Sequence, residues 1–272
     1  METGTQTTYQ TPIEPEAAVA VDNAANLYPL DQTEFEIKIN LKPNADVPVY
    51  VTHYLRRPTL VELLDRDKAV VTEIETLSKS ESIINANTDA ANVALYDKIA
   101  LAIAGYPLSD GQPKEARRSI TPELVARVPA THKLTALRGL YATTCEVEDS
   151  DALVYGLDCD TVVVRQEIGW HDEPDYMLRH TLSMPSEKQR LDYARKASQT
   201  RYVGTGKKQK IRIVTNLRAA VELYDALFVR VDGATVLYQS EIPSAFLATL
   251  DPQFKQQVIT ALMGVFEEAL SD

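Results

Sequence analysis

The chain has 272 residues, with 28 Lys+Arg against 39 Asp+Glu and a formal net charge of −11 at pH 7. Hydrophobic residues make up 44% and charged residues 25%, an ordinary globular mixture that excludes collagen-like and disordered classes. The acidic balance argues against direct nucleic-acid contact, and no apolar run approaches the ~20 residues of a membrane span.

The first 37 residues contain no Lys or Arg, so the basic region of a secretory signal is absent. Cys145 and Cys159 make no disulfide scaffold, which fits a reducing compartment. Residues 1–33 are acidic and rich in Thr, Ala, Pro and Asn, with no sustained period. They read as an extended or disordered N-terminal arm. Tyr9, Leu27, Tyr28 and Leu30 are its candidate anchors, because a wholly solvated tail gains nothing from them.

Phe35, Ile37, Ile39 and Leu41 alternate with polar residues, the period of a strand with one buried face. Val47–Leu55 reads as a second strand running toward Pro58. Thr59-Leu-Val-Glu62 is a capping box, and a helix is expected over 59–77. Residues 78–86 read as a short or irregular hairpin, and 88–104 as a helix with Val93, Tyr96 and Ile99 on its apolar stripe. Thr121-Pro122 opens a short helix, and 131–143 forms the next. Residues 146–160 read mostly as a linker.

The remainder resembles what came before. His53-Tyr-Leu-Arg-Arg-Pro58-Thr59 recurs as His180-Thr-Leu-Ser-Met-Pro185-Ser186, a shift of 127. Val93-Ala-Leu-Tyr96-Asp97 recurs as Val221-Glu-Leu-Tyr224-Asp225, a shift of 128. Leu134-Thr-Ala-Leu-Arg-Gly139-Leu-Tyr141 recurs as Ile259-Thr-Ala-Leu-Met-Gly264-Val-Phe266, a shift of 125. A shift of 127 also carries the opening strand onto Val162, Val164, Gln166 and Ile168. The fold expected is therefore α+β, a tandem duplication of a unit with a sheet on one side and helices on the other. Its first unit is 34–145 and its second 161–272.

In the second unit, strands are expected at 162–168 and 176–182 and helices at 186–200, 216–231 and 252–270. Arg201-Tyr-Val and Gln209–Val214 flank Gly204-Thr-Gly206-Lys207-Lys208 as a β-hairpin. Gly139 and Gly264 inside their helices imply close backbone packing.

Catalytic signal is poor. His53 and His180 lie in no metal-ligand spacing and read as structural, and no catalytic, cofactor-binding or metal-binding residue is assigned. His171-Asp172-Glu173, after Trp170, is a polar turn. Cys159 between Asp158 and Asp160 is a poor nucleophile. Arg201, Lys207, Lys208, Lys210 and Arg212 form a positive patch at a hairpin tip, which reads as a solvated turn first, then as a contact to an acidic partner such as the leader of a neighbouring copy, and last as a nucleic-acid contact.

An arm, a small α+β unit and the His-x-Leu-x-x-Pro-[Thr/Ser] passage give the chain its general pattern. In that pattern it resembles the small acidic structural and assembly proteins of tailed bacteriophages and prophages. The resemblance implies a non-enzymatic head, decoration, connector or tail component, or its chaperone, in the virion or host cytoplasm. Its partners would be copies of itself or other subunits, with no cofactor, membrane or small-molecule substrate evident. A cytosolic adaptor, and an enzyme or binding protein with a cleft between the units, are the other readings.

Overall fold

The computed structural model describes residues 27–30, 32–42, 46–70, 72–76, 82–109, 111–150, 153, 159–169, 175–197, 200–203, 208–213, 216–235 and 244–268. Among these, no helix is long and apolar enough to cross a membrane. The fold is α+β, as expected.

The first half runs β1 (Phe35–Asn40), β2 (Tyr50–Leu55), α1 (Leu60–Ala69), β3 (Thr72–Thr76), β4 (Ser82–Ala86), α2 (Thr88–Ile99), β5 (Ala100–Ala104), β6 (Arg118–Ser119), α3 (Pro122–Arg127) and α4 (Ala130–Leu140). After β7 (Thr143–Val147), the second half runs β8 (Thr161–Ile168), β9 (Tyr176–Ser183), α5 (Glu187–Ala197), β10 (Thr200–Val203) and β11 (Lys208–Ile213). It ends with α6 (Leu217–Leu227), β12 (Phe228–Asp232), α7 (Ser244–Thr249) and α8 (Pro252–Glu268).

Among the described residues these strands form three four-stranded antiparallel sheets, ordered β1-β2-β5-β6, β12-β9-β8-β7 and β10-β11-β3-β4. In the first, His53 stands opposite Ile103, with a register shift at Tyr54/Leu55. In the second, His180 stands opposite Val231, with a shift between Phe228 and Arg230. The third is shared: the hairpin of each half contributes two strands.

Both helix starts carry the expected box. The Glu62 amide donates to Thr59 Oγ1 at 3.3 Å, and the Thr59 amide donates to Glu62 Oε2 at 2.9 Å. The Gln189 amide donates to Ser186 Oγ at 3.3 Å, and the Ser186 amide donates to Gln189 Oε1 at 2.9 Å. These satisfy amides that the first turn of a helix leaves unpaired.

Several expected boundaries are corrected. Helix α1 stops at Ala69, not 77, because Val70, Thr72, Ile74 and Thr76 place β-branched residues at alternating positions of the sequence. Helices α2 and α6 stop at Ile99 and Leu227, and each chain continues without a loop into β5 or β12. The first hairpin is regular, with five residues in each of β3 and β4. Strand β7 spans the end of the expected first unit and the start of the expected linker, and it pairs with β8 in the second sheet.

The cores interlock. Val51, Leu55, Leu63, Leu95, Ile99 and Leu137 pack in the first half together with Leu217 and Val221 from α6 of the second. Val162, Val164, Leu182, Leu223, Val258, Ile259 and Leu262 fill the second. A smaller cluster of Tyr28, Leu178, Val231, Ala234 and Phe254 lies where the leader docks.

Candidate functional site

Pleating sets the first polar network, because alternate residues of β2 (Val51, His53, Leu55) turn inward beneath α1 and α2. His53 is fully buried, so its ring nitrogens must find partners inside. Nδ1 meets the Tyr96 hydroxyl at 2.6 Å, and Nε2 meets the Tyr106 hydroxyl at 3.1 Å. Tyr106 also meets His132 Nδ1 at 2.9 Å. Burial, with the nearby His132, lowers the His53 pKa to about 4, so the ring is neutral at pH 7. A neutral imidazole has one donor and one acceptor nitrogen, which two phenols can satisfy. Burial raises both phenols and also lowers His132.

The second half repeats the centre and changes the rim. His180 Nδ1 meets the Tyr224 hydroxyl at 2.7 Å, and Nε2 meets Gln166 Oε1 at 3.1 Å. Gln166 Nε2 donates to Gln257 Oε1 at 3.0 Å. Burial lowers the His180 pKa to about 3.

Beside each phenol sits an ion pair. Lys133 Nζ donates to Asp97 at 2.6 Å, and Lys255 Nζ donates to Asp225 at 2.6 Å. The ammonium groups lie 5.7 Å from the Tyr96 ring centre and 5.6 Å from that of Tyr224, within cation–π reach. Sequence reasoning missed both lysines, since a charged residue in a 3.6-residue pattern reads as solvent-facing. Matching them relates α4 to α8 by 122 residues rather than the expected 125. A three-residue slip is close to one helical turn, so the apolar matches survive it. Gly139 and Gly264 are then not equivalent, and a Cβ at Gly264 would meet nothing within 4 Å. The close packing expected at Gly264 is therefore absent.

The leader's anchors divide three ways. Tyr9 lies outside the described residues, Leu27 is exposed, and Tyr28 is buried. Tyr28 forms a parallel bridge with Ala234: its amide donates to Gly233 O at 2.8 Å, and its carbonyl accepts from the Thr235 amide at 2.9 Å. The Leu30 amide donates to Thr235 Oγ1 at 3.2 Å, and Leu30 packs on the same small cluster. The Tyr28 ring meets Tyr176 edge-on at 5.3 Å. Arg57 donates to the Tyr28 hydroxyl, and its guanidinium lies over Phe35 at 4.6 Å and Phe254 at 5.9 Å. Arg57 thus ties leader, first half and second half together. Tyr28 and Leu30 are engaged within their own chain rather than left for a neighbour.

The basic patch has an acidic counterpart in its own chain. Lys208 stands directly across from Glu75, and Lys210 from Glu73, in the β11–β3 register. Arg201 and Arg212 face each other across the β10–β11 hairpin, and Lys207 lies outside the described residues.

A cavity of about 290 Å³ is lined by Arg66, Asp89, Asn92 and Arg138 of the first half and Gln253 of the second. Another of about 430 Å³ lies over Cys145, whose thiol burial pushes up to about 12 and so keeps protonated. Cys159 Sγ donates to Thr161 O at 3.0 Å. Trp170 and His171-Asp172-Glu173 lie outside the described residues, and among the described ones no metal-holding cluster of His, Cys, Asp or Glu occurs. No family model, curated protein or solved structure matches the chain.

Proposed function

We propose that this is a non-enzymatic structural or assembly protein of a larger, phage-type particle, working in the virion or the host cytoplasm. Its two halves are a tandem duplication of one α+β unit, preceded by an N-terminal arm, and they present similar surfaces to neighbouring subunits. One observation carries the reading. The matching polar residues His53/His180, Tyr96/Tyr224, Asp97/Asp225, Lys133/Lys255 and the capping boxes are engaged with one another in cores or at helix starts, and the matching Asp65/Asp192 and Lys68/Arg195 pair with each other along exposed helix faces. A retained reaction centre would leave matched groups facing a pocket; here the matched groups hold the architecture.

Light scattering behind size exclusion tests it, on the full chain and on a chain lacking residues 1–26, which keeps the Tyr28 clasp. The expected result is a concentration-dependent mass above the 30.2 kDa of one chain. Dependence of that mass on residues 1–26 would make the arm a subunit clasp. A 30.2 kDa monomer at every concentration would overturn self-assembly.

A further inference from the structure

The shared sheet is ordered β10-β11-β3-β4. By order of elements, β10 in the second half corresponds to β3 in the first, and β11 corresponds to β4. The central contact therefore joins the second strand of one hairpin to the first strand of the other. A two-fold arrangement would instead pair β3 with β10 or β4 with β11. The observed contact is head-to-tail, and a head-to-tail contact between equivalent units does not satisfy itself. It leaves one strand of each kind at the ends: β4, a second strand, and β10, a first strand. Among the described residues no strand covers the outer edge of either.

Direction agrees as well. Each neighbouring pair in the sheet is antiparallel, so a β10 placed beyond β4 would continue the alternation. Edges of this kind are commonly guarded by charge, proline or a bulge. Strand β4 reads Ser-Ile-Ile-Asn-Ala over 82–86, with no charge, proline or glycine.

We infer that the outer edge of β4 in one copy pairs antiparallel with the outer edge of β10 in a second copy of this chain, extending the shared sheet from chain to chain. The contact repeats between chains the β11–β3 contact already made within one. It closes into a ring if the step between copies closes, and otherwise runs on as a filament. The inference rests on the assembly reading above and names the surface that would carry it.

Proline on an edge strand blocks pairing where its missing amide would have pointed outward. Amides alternate along a strand, so two successive positions include one outward amide. Ile84→Pro and Asn85→Pro are made on β4, and Arg201→Pro and Tyr202→Pro on β10. From each pair the variant that keeps the wild-type far-UV circular dichroism and melting temperature is used. Each blocked chain alone is expected to run at 30.2 kDa. Mixed, the two retain one good edge each and form a heterodimer of twice that mass and no more. Formation of the heterodimer also shows that both variants are folded.

If wild type and both variants assemble alike, the edge pairing is wrong while the assembly reading stands. If the variants are monomers that do not join on mixing, head-to-tail edge pairing is wrong. A wild type that stays monomeric at every concentration overturns both.

Discussion

The two halves share a centre and differ at its rim. In each, a buried histidine on the middle strand meets a tyrosine on a helix, and an aspartate next in sequence holds a buried lysine. Around His53 the network continues through Tyr106 to His132. Around His180 it continues through Gln166 to Gln257, whereas the residue 127 positions before Gln166 is the apolar Ile39. In sequence Tyr106 follows Gly105 and His132 precedes Lys133, as Ala234 follows Gly233 and Phe254 precedes Lys255; Tyr28 bridges to Ala234 and packs on Phe254. The buried Arg118 holds the loop following Tyr106 through the carbonyls of Gln112, Pro113, Lys114 and Ala116. The centre is set by what a buried imidazole needs, and the rim by which piece of chain is at hand.

The largest expected effect is on acid stability. An unfolded histidine titrates near 6.5, above the folded values of about 4 for His53 and about 3 for His180. Lowered folded values mean that the unfolded chain binds more protons, so this stability is fully present above pH 6.5 and is lost as pH falls. The contributions are about 3 kcal/mol for His53, lost by pH 4, and about 5 kcal/mol for His180, lost by pH 3. Asp251 has the opposite sign: complete burial raises its pKa from 3.8 to about 6. Its contribution is present below pH 3.8 and lost as pH rises through 6, which offsets part of the acid loss. Urea midpoints from pH 7.5 to 4 should fall steeply, less so in His180→Gln, and more so in Asp251→Asn. A flat wild-type profile would mean that the histidines are not buried neutral.

Next come the ion pairs, where the halves should behave alike. The Lys133 and Lys255 side chains are 5% and 4% exposed, while Asp97 and Asp225 are both 38% exposed. Removing the acid strands a buried charge, whereas removing the lysine leaves a carboxylate that water can reach. Asp225→Ala and Asp97→Ala should each cost about 3–5 kcal/mol, and adding Lys255→Met or Lys133→Met should restore most of it. The check is denaturant unfolding of singles and doubles. Unequal couplings in the two halves would break the match between them.

What was legible in the sequence follows from the range of the forces involved. Capping boxes at Thr59 and Ser186 are local, and so is the alternation of β1. Strands β5 and β12 were hidden because Ile99–Ala100 and Leu227–Phe228 pass from helix to strand with no breaker, and apolar runs satisfy both periods. The lysine partners of Asp97 and Asp225 lie 36 and 30 residues away, beyond any local rule. For the patch at Arg201–Arg212 the sequence offers a solvated turn or an acidic partner elsewhere, since nothing local says that Glu73 and Glu75 will stand across from Lys210 and Lys208. The networks were thus legible as matches, and only the fold gave them partners.

The smallest effects sort the glycines, and with them the parts of the match that matter. Gly105 and Gly233 end β5 and β12 with φ of +85° and +88°. A Cβ there would lie 2.5 Å from the Tyr50 carbonyl oxygen and 2.1 Å from that of Met177, both backbone atoms of the neighbouring strand. Alanine at either position carries both the left-handed penalty and a clash that no rotamer relieves, about 2–3 kcal/mol. Gly111 has φ of +73° but nothing within 4 Å of a Cβ, so Gly111→Ala should cost only the conformational part, about 1 kcal/mol. Gly264, inside α8 with open space around it, should reverse the sign: Gly264→Ala stabilises by about 1 kcal/mol, because alanine is the better helix former. Melting temperatures of the four variants decide the matter. A destabilised Gly264→Ala would reinstate the close packing read from the 125-residue match, while the expected order leaves Gly105 and Gly233 as the pair that the two halves need.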